Sequence, residues 1–191
     1  MIRKVIKKAN LGDFSEVKEN LSYWLSKTPE ERVEAVEYLR RTLHGSSASF
    51  KDLFSSFNAH KVDYLIVGTY ALAYHGAPRY TGDMAILVRP SPENAHRILK
   101  ALEAFGFGSV GLTAEDFTAP DKVIQLGVAP VRIDIVTSIT GVSWEEAAAG
   151  RVQGNYGDTV VNFIGKEEFI RNKQALGRKR DQADLEALGV E

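Results

Sequence analysis

A chain of 191 residues, 44% apolar and 26% charged, has the length of one domain and the composition of a folded globular protein rather than a disordered one. A formal net charge of −1 excludes a uniformly basic nucleic-acid binder, though not a local basic patch. Without cysteine there is neither a disulfide framework nor a thiolate metal site; without a long apolar run or a signal-type leader, a cytoplasmic protein with no membrane span is expected.

Residues 1–44 read as an N-terminal helical segment. Four basic residues within the first eight suit a solvated, frayed terminus better than an arm for phosphate contacts. Phe14, Val17, Leu21 and Trp24 fall at helical spacing and suit one arm of an antiparallel hairpin. The second arm starts at Thr28-Pro29-Glu30-Glu31, where Thr28 caps, Pro29 takes the first helical position and Glu31 closes a capping box. Val33, Val36, Leu39 and Leu43 then mark its apolar stripe. Gly45-Ser-Ser-Ala-Ser49 reads as a linker, so a boundary is placed there and the second unit runs over 50–191.

That unit mixes periods. A helix over about 50–59 precedes a β-branched strand at 62–67, a short helix from Thr69 to His75 and a strand at 84–88. Ser91-Pro92-Glu93 opens a helix that Gly106-Phe107-Gly108 ends. Val123–Leu126 and Val131–Val136 read as strands around Gly127-Val-Ala-Pro130, and Ser143 caps a short helix. Val160–Ile164 reads as the last strand, before helices over about 166–176 and 180–188. The regular alternation of a doubly wound sheet is missing, so the expected class is α+β, a small mixed β-sheet flanked by helices.

The chemistry-bearing stretch is Gly68-Thr69, thirteen intervening residues, then Asp83-Met84-Ala85, with Asp134 further on. Gly68 lets backbone amides approach an anion, and the helix that follows offers its positive end. Asp83 and position 85 share one face of a strand, since side chains alternate. Asp134 is a lone acid inside Ile133-Asp-Ile-Val136, and an acid on an apolar strand needs a cation or hydrogen bonds. Converging carboxylates of this kind hold Mg²⁺ in two-metal phosphoryl transfer. Ala85 breaks the set, because a methyl group cannot ligate.

Gly68-Thr69 through Asp83-Met84-Ala85-Ile86 resembles the signature of the DNA polymerase β-like nucleotidyltransferases. Tyr74–Asp83, Gly127–Asp134 and Asn172–Asp184 are, more narrowly, similar to bacterial nucleotidyltransferase-like proteins related to AbiEii-type toxins. The likeness covers roughly residues 50–190. It implies that Asp83 and the residue at 85 bridge two metal ions, Mg²⁺ or Mn²⁺, and that Asp134 binds the catalytic one. It also implies that Gly68 and Thr69 hold the phosphates of an NTP, while Arg79, Lys173 and, more weakly, Arg178 neutralise their charge. Ala85 departs from the pattern, so weak metal binding and absent or impaired NMP transfer to a protein, RNA or small-molecule hydroxyl are expected. The loss of one strong electrostatic contact in such a site costs on the order of 10²–10³ in rate.

Three functional readings follow: a silenced nucleotidyltransferase, a non-catalytic nucleotide binder, and a toxin–antitoxin-type interaction protein that meets its partner, or itself, through residues 1–44. Competing structural roles are a turn at Thr81-Gly82-Asp83, an Arg79–Asp83 ion pair and a packed His75. His44, His60 and His96 lack metal-like spacing. Trp144 and Tyr80 suit packing better than base stacking. The basic residues Lys166, Arg171, Lys173, Arg178, Lys179 and Arg180 suit a solvated helix face, or a track for an RNA backbone.

Overall fold

The computed structural model describes residues 15–44, 50–108, 110–128 and 131–190. The basic N-terminus, Phe14, the 45–49 linker and the end of the Gly127–Pro130 connection lie outside the described residues.

Six strands, β1 (Tyr64–Val67), β2 (Asp83–Val88), β3 (Val123–Val128), β4 (Val131–Val136), β5 (Val152–Tyr156) and β6 (Thr159–Phe163), form one mixed sheet in the order β3-β4-β2-β1-β6-β5. β2 runs antiparallel to β1 and parallel to β4; β1 is parallel to β6. The hairpins β3–β4 and β5–β6 close the two edges. The helices are α1 (Glu16–Leu25), α2 (Pro29–His44), α3 (Phe50–Ala59), α4 (Gly68–His75), α5 (Pro92–Leu102), α6 (Trp144–Ala149), α7 (Lys166–Leu176) and α8 (Lys179–Ala187). The architecture is therefore the expected α+β sheet with flanking helices.

Local chemistry explains most of the boundaries. Thr28 and Glu31 exchange capping bonds of 3.1 and 2.7 Å, Ser91 accepts from the Asn94 amide, and Ser143 and Glu146 form a second capping box. β1 is buried at all four positions, as a central strand with both faces covered must be. α4 packs on β1 and β2, α2 on α4 and β5, and α7 on α8.

Two features of the N-terminal segment differ from expectation. α1 buries no residue and rests on α8 rather than along α2. In α2 the inward stripe is Val33, Val36, Glu37 and Arg40, while Leu39 and Leu43 are exposed. The stripe is rotated because polar groups on the domain recruit polar groups on the helix. Glu37 accepts hydrogen bonds from Arg40, Arg41, Tyr70 and Tyr156, at 2.7 to 3.2 Å. Val33 and Val36 belong to the same hydrophobic core as the sheet, so the core continues across the boundary placed at 45–49.

Candidate functional site

Strand register assembles the site. Val67 lies opposite Ala85, and Ala85 lies opposite Asp134 on the other side of β2. The end of β1, Ala85 and the lone acid of β4 thus stand in one row across three strands. Asp83 is paired with Arg132 two residues along. Alternation then puts Asp83, Ala85, Arg132 and Asp134 on a single face of the sheet.

Gly68 opens α4 with φ +65°, a left-handed conformation that favours glycine. A Cβ added there would lie 3.2 Å from the Ala85 Cβ, so the two unusual positions touch. Val67, the residue before the helix, contributes no side-chain cap. The first-turn amides of α4 are therefore not closed by a capping side chain, and they lie beside the row of site residues.

Arg132, which the sequence reading did not single out, dominates the electrostatics. Its Nε and Nη2 donate to the two oxygens of Asp134 at 2.8 and 3.0 Å, and Nη2 also donates to Asp83 Oδ2 at 2.9 Å. The second Asp83 oxygen accepts from the Thr81 hydroxyl. Every carboxylate oxygen of the pair already has a donor. Side-chain exposures are 33% for Arg132, 39% for Asp83 and 15% for Asp134, so the cluster is open to ligands on one side. Bonding to Asp134, then the nearby charges, pushes the Arg132 pKa above its ordinary value. The signal for Arg132 lay in the strand period, two residues before Asp134.

The other expected phosphate-neutralising residues stand in a separate network. Arg79 donates to both oxygens of Asp184 at 2.8 and 3.1 Å. Lys173 is buried and pairs with Asp181 and Asp184 at 2.8 and 2.9 Å; Arg178 binds Asp181 at 2.6 Å. Burial opposes ionisation of both carboxyls, but hydrogen bonds from Arg178 and Lys173 to Asp181, and from Arg79 and Lys173 to Asp184, hold them below the usual range. No hydrogen bond or ion pair between described residues joins this network to Asp83, Arg132 or Asp134. The alternative Arg79–Asp83 pair is therefore replaced by Arg79–Asp184. Arg79 also lines a cavity of about 390 Å³ with Trp24, Arg180 and Asp184, away from the Asp83 row.

His75 bonds the Ile164 carbonyl at 2.8 Å, and burial pushes its pKa down. Trp144 packs against the core. Arg171 is engaged with Glu146 and Glu168.

The donor set can be weighed against the divalent metal that phosphoryl transfer uses. Magnesium asks for converging hard oxygens in near-octahedral array. Position 85 supplies a methyl group, and the two acids are bridged by a guanidinium. Among the described residues no three His, Asp or Glu side chains gather into a metal-binding group. Asp83 and Asp134 as they stand do not fit a Mg²⁺ or Mn²⁺ pair.

A search of known protein families matches none, and no curated protein matches the chain. Among solved structures it is similar to a Thermotoga maritima protein provisionally named a nucleotidyltransferase. The TM-score is 0.50 at 15% identity, over 78% of this chain and 91% of the other. At that identity the likeness is one of fold. The sheet and its flanking helices thus share the fold of that protein, and no described helix is long and apolar enough to cross a membrane.

Proposed function

We propose that this chain is a catalytically silent protein on a nucleotidyltransferase-type scaffold, which binds a nucleotide at Gly68 and Thr69 without transferring its NMP group. The observation that supports the reading is the row Val67–Ala85–Asp134, in which a methyl group stands where the sequence resemblance implies a bridging carboxylate. Gly68 and the uncapped start of α4 supply amides for a phosphate. Asp83 and Asp134 are retained but tied to Arg132. On this reading Arg79, Lys173 and Arg178 serve the C-terminal framework, because each is spent on a carboxylate there.

The test is calorimetric titration of each NTP into the wild-type chain, with a parallel assay for transfer of labelled α-phosphate to protein, RNA and small hydroxyl acceptors. Binding without transfer is expected. Ala85→Asp with Mg²⁺ or Mn²⁺ is expected to recover measurable transfer, lost again when Asp134→Ala is added. Transfer by the wild-type chain overturns the silence, and absence of NTP binding overturns the nucleotide role.

A second reading has its own observation. Val17, Tyr23, Leu25, Tyr38, Leu39 and Leu43 are exposed apolar side chains on α1 and α2. Such a surface suits a toxin–antitoxin-type partner or self-association. Size-exclusion measurements on Tyr38→Glu and Leu43→Glu check it: lost association supports docking there, and an unchanged monomer removes it.

A further inference from the structure

The Asp83–Arg132–Asp134 cluster has more chemistry than a damaged metal site would need. Two carboxylates on adjacent parallel strands repel each other unless a cation stands between them. Here the cation comes from the same strand as Asp134, held by the register that pairs Arg132 with Asp83. A guanidinium is planar and presents parallel N–H bonds that match a carboxylate edge, which a Lys ammonium cannot do. Arg132 uses that fork on Asp134 and the remaining reach of Nη2 on Asp83.

Competition with a divalent ion then favours the arginine. To enter, Mg²⁺ must shed tightly held water and break three charge-assisted bonds, with only two carboxylates as reward. Ala85 offers no third. The arginine adds one positive charge, leaving the three-residue cluster with a single net negative charge. Its Nη1 makes none of these bonds and remains a donor for a ligand oxygen.

We propose that Arg132 is the resident cation of this site, so that the Asp83–Asp134 pair excludes divalent ions and the nucleotide is taken as the free anion rather than as its magnesium complex. The part concerning nucleotide rests on the function proposed above; the part concerning the cation does not.

Two measurements test it. Mn²⁺ binding is followed by electron paramagnetic resonance without nucleotide, on wild type, Arg132→Met and Arg132→Lys. Wild type and Arg132→Lys are expected to leave Mn²⁺ free at millimolar concentration, and Arg132→Met to bind it at least tenfold more tightly. Site-specific binding to wild type, abolished by Asp134→Asn, overturns the proposal whether or not Arg132→Met folds. A folded Arg132→Met that ignores Mn²⁺ overturns it too, because the carboxylates would then not be a cation site at all. ATP titration into wild type in EDTA and in Mg²⁺ is the second measurement. Affinity no weaker in EDTA supports the proposal, and binding that requires Mg²⁺ overturns it. Absence of ATP binding under both conditions removes the nucleotide reading, while the Mn²⁺ titration still decides the role of Arg132.

Discussion

Two clusters of charge in this molecule use the same residue types for opposite purposes. Around Glu37 an acid, the buried Arg40 and two tyrosine hydroxyls are sealed between α2, α4 and β5, with Arg41 at the rim; around Arg132 two acids and one arginine lie partly open on a sheet face. Burial makes the difference. A sealed charge that loses its partner has no water to replace it, whereas an open one is rehydrated. The first cluster joins the N-terminal helix to the domain, and the second remains available to a ligand.

Breaking the sealed cluster should have the largest effect. Glu37→Gln leaves Arg40, already fully buried with one nitrogen lacking a hydrogen-bond partner, without its counter-charge. A loss of about 3–5 kcal/mol in denaturant unfolding is expected. The same carboxyl predicts an acid limb. Burial opposes its ionisation, but bonds from Arg40, Tyr156 and Arg41 outweigh that and hold its pKa down to about 2. A lowered carboxyl pKa contributes stability above its ordinary value of 4.5, and that stability is lost as pH falls toward about 2. Thermal melts across that range should show the limb in wild type and a flatter profile in Glu37→Gln.

Lys173→Met tests the C-terminal network and should cost less, about 2–3 kcal/mol, since Arg178 and Arg79 still reach Asp181 and Asp184. Gly68→Ala should cost about 1–2 kcal/mol by chemical denaturation, for the left-handed φ and the crowding against Ala85. Arg132→Met should change unfolding stability by only about 1 kcal/mol, because Arg132 and Asp83 are partly open to water and Asp134, though 15% exposed, lies at the same open face. A loss there as large as at Glu37 would erase the contrast and make the Arg132 cluster structural.

Much of the frame was legible because period and capping chemistry are local. The capping boxes at Thr28 and Ser143, the buried β1 and the Pro92 start of α5 all follow from neighbouring residues. β5 was not read as a strand: Val152-Gln-Gly-Asn-Tyr156 is polar and glycine-bearing, and its strand character comes from pairing with β6. The turn residues Gly157 and Asp158 between them were the available signal. The rotated face of α2 was hidden for a related reason. Glu37 and Arg40 look solvent-facing until Tyr70 and Tyr156, remote in sequence, supply hydroxyls. At the site, Gly68, Asp83, Ala85 and Asp134 stand out by spacing alone; Asp83, Ala85 and Asp134 lie on adjoining strands, with Gly68 at the start of α4 against Ala85. The partners of Arg79 and Lys173 were not, since nothing local distinguishes a cation that meets phosphate from one that meets a carboxylate.

The parallel pairing of β2 with β4 has a consequence for how the chain folds. β1 and β2 are linked by α4 and the segment 76–82, but Asp83 and Arg132 are 49 residues apart and need a longer crossover to close. Contacts of that range form slowly and late. Until then Asp83 stands on its strand without its cation, so completion of the Arg132 bridge reports the arrival of the last long-range pairing in this half of the sheet. A folding trajectory that stalls before it would hold a nearly finished domain with an unneutralised acid and an exposed strand edge, the kind of species that pairs with its neighbours.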